Sequence, residues 1–115
     1  MGAKNGTLTF MVGSQSAEDF EKAKIVLEGM GKRIFHCGGP GTGEAAKIAN
    51  NLILGIMMIA SSEGMALADK LGIDPKILME VLKVSTGNNW CINSNNPYPG
   101  NIETSPASNK YEGGF

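Results

Sequence analysis

Residues 39–51 read GPGTGEAAKIANN, three glycines followed by Lys47 and Asn51. The glycines suit a tight turn into a helix, and a spacing of i and i+4 stacks the lysine and the asparagine on one helical face. Around them the helix is otherwise largely Ala and Ile, and from Leu52 to Ala60 (LILGIMMIA) it is apolar on nearly every side, as in a helix buried between other elements. Polar side chains on such a helix are either paired or face a cavity. A lysine facing a cavity is a candidate catalyst, because desolvation lowers the pKa of its ammonium toward the working pH. The plain alternative is a surface lysine beyond a glycine turn that does no chemistry.

Two phosphate-binding readings of the same stretch fail. Gly41-Thr42-Gly43-Glu44-Ala45-Ala46 matches G-x-G-x-x-A after a strand and before a helix. A dinucleotide fingerprint also needs an acid about 20 residues on, at the end of a second strand. Here that acid is Glu63, inside the same uninterrupted helical run. Gly38 to Gly43 is not followed directly by Lys and Ser or Thr, so it is no Walker A loop either.

Upstream of the turn, Thr7 to Val12 (TLTFMV) predicts a strand bracketed by Gly6 and Gly13. Ser16 opens SAED, a capping signal in which the hydroxyl accepts from the backbone N–H near Asp19. The helix it starts carries an apolar stripe of Phe20, Ala23, Leu27 and Met30, with Val26 beside it. Gly29 and Gly31 stop it, and Lys32 to Cys37 (KRIFHC) predicts a second strand, the crossover being long enough for parallel pairing. Two strands and one helix bury too little surface to stand alone, and look like the end of a larger sheet. Downstream, the long helix runs from Thr42 to about Leu71, with Gly72 in the stop position. Asp74-Pro75 then starts another helix, with Ile77, Leu78, Val81 and Leu82 facing inward. After Ser85 the chain is polar and punctuated by prolines, which predicts a long irregular loop packed by Trp90, Tyr98, Tyr111 and Phe115.

Composition narrows the partners. The chain has 115 residues, 42% of them hydrophobic and 18% charged, with a net charge of −1. Its basic residues are scattered rather than striped, which argues against nucleic acid and anionic membrane. The run Leu52–Ala60 falls well short of the roughly 20 residues of a membrane span. The N-terminus has neither an apolar signal core nor an arginine-rich presequence, and Gly6 stands where a myristoylation motif needs Ser or Thr. Cys37 and Cys91 lack metal-ligand spacing and read as reduced, buried thiols, so no metal is expected. His36 and Cys37 are adjacent on a strand, point to opposite faces and cannot readily converge on one atom.

GTGEAAKIANN resembles the G-x-G-x-x-x-K-x-x-x-N signature of the β-hydroxyacid dehydrogenases, and the resemblance covers essentially the whole chain. GAKNGTLTFMVG is similar to the segment after that family's Ser-Gly-Gly substrate motif, and LGIDPKILMEVL to the helix after its long interdomain helix. NPYPG and NKYEGGF are similar to the branch that oxidises 3-hydroxyisobutyrate in valine breakdown. The resemblance implies an α+β fragment, mainly α. Residues 1–38 would be a strand-helix-strand remnant of a Rossmann-type domain. Residues 39–115 would be the long helix and the start of an all-α domain like the C-terminal part of 6-phosphogluconate dehydrogenase.

It also implies NAD-dependent oxidation of 3-hydroxyisobutyrate to methylmalonate semialdehyde. Lys47 would be the catalytic lysine, with Asn51, Gly43 and Phe115 at the substrate, Gly43 as a position where a side chain would obstruct its approach. The small-molecule 3-hydroxy acid is then the partner, in a homo-oligomer without nucleic acid or membrane. The location implied is the mitochondrial matrix in a eukaryote or the cytoplasm in a bacterium. The family's GxGxxG domain, its Ser-Gly-Gly motif and the Lys and Asp after its GGF segment have no counterpart here, so the expectation is a piece cut at both ends, with the main cofactor site upstream. A non-catalytic structural or interaction subunit descended from the same fold is the alternative.

Overall fold

A computed structural model describes residues 4–112 and divides into two compact units, residues 1–52 and 53–115, each described by itself. In the first, strand β1 (Leu8–Gly13) is followed by helix α1 (Ala17–Leu27) and strand β2 (Gly31–Gly38). The strands pair in parallel, with Phe10 against Ile34, Met11 against Phe35 and Val12 against His36. Ser16 caps α1 as expected: its hydroxyl accepts from the Asp19 N–H at 3.1 Å and donates to the Asp19 carboxylate at 2.8 Å. Of the expected α1 stripe, Phe20 is buried and Ala23 and Leu27 half-buried, but Met30 and Val26 are exposed. Phe20 packs flat on the His36 ring, centroids 4.7 Å apart. Nothing described covers the rest of the strip, which fits a small sheet that needs further structure to bury its faces.

Helix α2 (Thr42–Lys70) runs unbroken for 29 residues and stops where Gly72 takes a φ of +82°, a conformation glycine adopts without a Cβ penalty. Because Glu63 lies on α2 itself, the second half of a dinucleotide fingerprint is missing here, as the pattern implied. The apolar middle is exposed in this chain: Leu52, Ile53, Ile56 and Ile59 each keep more than half of their surface. Leu52–Ala60 alone is short, yet an 18-residue window of α2 reaches a mean hydropathy of 1.5, so the helix as a whole is long and apolar enough to cross a membrane.

In the second unit α3 (Pro75–Lys83) starts at Asp74, whose carboxylate accepts from Lys76 N–H at 2.8 Å and from Ile77 N–H at 3.4 Å. Its inward residues are Leu78, Met79 and Leu82. Ile77 and Val81, expected inside, are exposed, because the face that meets α2 and the following segment is turned by one residue. Met65, Met79 and Ile92 form the core, with Leu78, Leu82, Tyr98 and Ile102 packed on it.

The segment after Ser85 is not wholly irregular. It contains a short helix, α4 (Trp90–Ser94), and a 3-10 turn at Pro106–Asn109. Asn89 starts α4 by accepting from Cys91 N–H at 2.8 Å and Ile92 N–H at 3.3 Å, and its amide donates to Ser61 on α2 at 3.2 Å. Of the aromatics expected to pack this segment, Tyr98 does so, half-buried against the core. Trp90 and Tyr111 are exposed, while Cys91, Ile92, Asn95, Asn96, Ser105 and Ala107 are the buried residues; Phe115 lies outside the described residues. Small polar side chains join the packing because each finds a backbone partner: Asn96 accepts from Tyr98 N–H and donates to Ile92 O, and Ser105 donates to Ile102 O.

Candidate active site

The first turns of α2 come down directly on β1. Gly43 is buried, and a Cβ there would collide with the Met11 carbonyl. The steric demand at Gly43 therefore comes from a strand backbone, where the sequence suggested the approach of substrate. The turn into the helix is closed by Thr42, whose N–H and hydroxyl both donate to Gly39 O, at 3.1 and 2.7 Å. A Cβ on Gly39 or Gly41 would meet nothing within 4 Å. Among the described residues these two glycines make a turn and no tight cradle.

This close approach sets what stands above the strand. Residues Thr7 to Met11 of the β1 segment form one wall, and Gly43, Glu44, Lys47 and Asn50 of α2 the other, of an open concavity of about 630 Å³. Lys47 is exposed into it. The ion pairs of the described residues are Lys22–Glu18, Lys24–Glu21 and Lys83–Glu80, so neither Glu44 nor Glu63 ties down the Lys47 ammonium. Asn51 stands one turn beyond Lys47 on α2 and is not among the residues lining the concavity. Its neighbour Asn50 is, and the Asn50 amide donates to Asn51 Oδ1 at 3.4 Å. Asn50 and Glu44 were missed in the sequence; their spacing of three from Lys47 was the available signal.

The remaining candidates do not join this site. Ser14 Oγ donates to Ser16 O at 2.8 Å and shares a hydrogen bond of 2.9 Å with His36 Nε2, which ties the turn after β1 to β2. Cys37 is half-buried with its thiol 3.7 Å from Phe35 O, while Cys91 is wholly buried, and burial pushes its thiol pKa up. The expectation of buried thiols thus holds for Cys91 alone.

A parallel strand-helix-strand unit, a glycine turn and a long helix that carries Lys47 over a concavity make a mainly helical α+β segment of the kind found where a Rossmann-type fold is followed by a helical domain. Residues 41–115 match the family described as the NAD-binding domain of NADP-dependent 3-hydroxyisobutyrate dehydrogenase, and residues 1–39 match the NAD-binding domain of 6-phosphogluconate dehydrogenase. The chain belongs to the 3-hydroxyisobutyrate dehydrogenase family. It is 53% identical to 3-hydroxyisobutyrate dehydrogenase of Pseudomonas aeruginosa over 99% of its own length and 38% of the relative's. It is 47% identical to the mitochondrial 3-hydroxyisobutyrate dehydrogenase of Bos taurus over 98% of its length and 33% of that protein's. The structure of Mycobacterium tuberculosis 3-hydroxyisobutyrate dehydrogenase with L-serine superposes with a TM-score of 0.91 at 44% identity, covering 99% of this chain and 39% of that one. The chain thus spans little more than a third of the length of these relatives.

Proposed function

We propose that this chain is the part of an NAD-dependent 3-hydroxy acid dehydrogenase that carries the catalytic lysine, the reaction being oxidation of 3-hydroxyisobutyrate to methylmalonate semialdehyde in valine catabolism. The observation that supports it best is Lys47, unpaired and lining a concavity between β1 and α2. NAD, when bound, supplies the hydride acceptor. Residues 1–38 then belong to the Rossmann-type nucleotide domain and residues 39–115 to the helix and helical domain that follow, with the main cofactor site outside this segment. The working compartment is the mitochondrial matrix in a eukaryote and the cytoplasm in a bacterium.

Lys47 handles the proton. As the C–O bond of the alcohol becomes a carbonyl, Lys47 Nζ handles the hydroxyl proton and hydrogen-bonds the oxygen on which charge develops. Asn51 holds the substrate one turn along, Gly43 lets α2 lie close enough to β1 to place Lys47, and the resemblance assigns Phe115, outside the described residues, to the substrate as well. The apolar strip of α2 is covered by protein, including a second copy of the enzyme, rather than by lipid.

The test is Lys47→Ala in the complete dehydrogenase, with NAD reduction followed on 3-hydroxyisobutyrate. Turnover should fall roughly 10²- to 10⁴-fold, the loss typical of a positioned acid or base, with unchanged thermal unfolding because the side chain carries little packing. Full activity in the variant would return Lys47 to the helix surface.

A further inference from the structure

Lys47 divides its helical face between two asparagines. At about 100° per residue, Asn51 lies about 40° to one side of Lys47 and Asn50 about 60° to the other. Gly43 lies on the Asn50 side, two turns below it, where α2 touches β1. That explains why Asn50 lines the concavity and Asn51 does not. The two carboxamides are joined, the Asn50 Nδ2 donating to Asn51 Oδ1 at 3.4 Å. A carboxamide oxygen that accepts from a neighbour holds the amide in one orientation, with its NH₂ group turned away from that neighbour and free to donate. Asn51 is thereby set as a donor, suited to an anionic or carbonyl oxygen, while Asn50 keeps its own carbonyl oxygen as an acceptor on the wall beside Lys47.

We infer that Asn50 is a substrate-positioning residue that acts through Asn51: it fixes the Asn51 amide with its NH₂ toward a carboxylate-bearing substrate held beside Lys47. This rests on the proposed dehydrogenase site and adds a residue to it. Asn50→Asp is the most direct substitution, since it keeps size but replaces the donor by an anion next to Asn51 Oδ1. The Asn51 amide then turns its NH₂ toward Asp, and its oxygen toward the substrate carboxylate.

The experiment compares Asn50→Asp, Asn50→Ala, Asn51→Ala and the Asn50→Ala/Asn51→Ala pair in the complete dehydrogenase, with melting curves for each and 3-hydroxyisobutyrate as the varied substrate. KM should rise roughly ten- to a hundredfold in Asn50→Asp and Asn51→Ala, the scale of one hydrogen bond to a charged group, with kcat changed far less. In the Asn51→Ala background the further Asn50→Ala change should add almost nothing, because the group it orients is gone. Unchanged KM in the Asn50 variants overturns the inference, as does full additivity in the pair, which would mean that Asn50 acts elsewhere. Lys47→Ala run in parallel separates the two readings: its turnover reports on the proton role, and the KM values report on Asn50.

Discussion

Gly43 and Lys47 divide the work of the motif between them, one by having no side chain and the other by leaving its charge unpaired. Gly43 faces strand backbone, which cannot move aside as a flexible side chain would. Gly43→Ala should therefore destabilise the dehydrogenase by about 1–3 kcal/mol as overpacking does, read as a lowered urea midpoint, and should lower activity by lifting Lys47 off β1. An alanine variant of unchanged midpoint would show that helix and strand have slack. In the second unit, Tyr98 offers a pH test. Its hydroxyl donates to Asp69 Oδ1 at 2.9 Å, and this bond, followed by burial and the nearby charges of Asp69 and Asp74, holds the phenol protonated above its ordinary value of 10.0. The folded state keeps that proton longer than the unfolded chain, so the contribution is complete below pH 10 and is lost as the pH rises through the folded value. Melting temperature should fall with alkaline pH in the parent, and less steeply in Tyr98→Phe; parallel curves would place the titration elsewhere.

At the scale of elements, capping and glycine chemistry were legible and orientation was not. Ser16, Asp74-Pro75 and Gly72 mark helix ends that the structure places where their side chains or φ values require, and the parallel pairing of β1 with β2 follows from the crossover length. The inward face of α3 was misplaced because Ile77, Leu78, Val81 and Leu82 are apolar around more than one helical side, so that only the position of Met65 and Ile92 selects Leu78, Met79 and Leu82. Helix α4 stayed hidden because five residues carry no periodicity, although Asn89 ahead of Trp90 was a readable cap. In the candidate site, Lys47 was legible from the motif, whereas Asn50 depends on which side of α2 meets β1, and only Gly43 against Met11 decides that. Asn89 joins two jobs, capping α4 and reaching Ser61 on α2. Asn89→Ala should cost about 0.5–2 kcal/mol in denaturant unfolding, and Asn89→Asp, which still accepts from the cap N–H groups, should recover most of it. Equal losses in the two variants would shift the weight to the Ser61 bond.

For the molecule as a whole, the chain buries few large side chains and leaves many exposed: Met65 and Ile92 are covered, while Leu52, Ile53, Ile56, Ile59 and Leu67 lie open along one helix. A contiguous apolar surface of this kind is rare on monomeric soluble proteins and drives association when nothing covers it. Each fully covered Leu or Ile is worth about 1.5–3 kcal/mol, so even partial burial of the strip favours contact between copies. The 115-residue chain expressed alone should therefore sediment as oligomers or aggregates whose size grows with concentration. Replacing Ile53, Ile56 and Ile59 by glutamine or lysine should shift it toward monomer without loss of helix by circular dichroism, since these side chains are more than half exposed and carry little packing in the chain itself. In the complete dehydrogenase the same replacements should instead weaken assembly or folding if, as proposed, protein covers the strip there. Cooperative unfolding of a clean monomer, by analytical ultracentrifugation and calorimetry of the unmodified chain, would show that α2 tolerates water along its whole apolar side and would remove the reason to place protein over it.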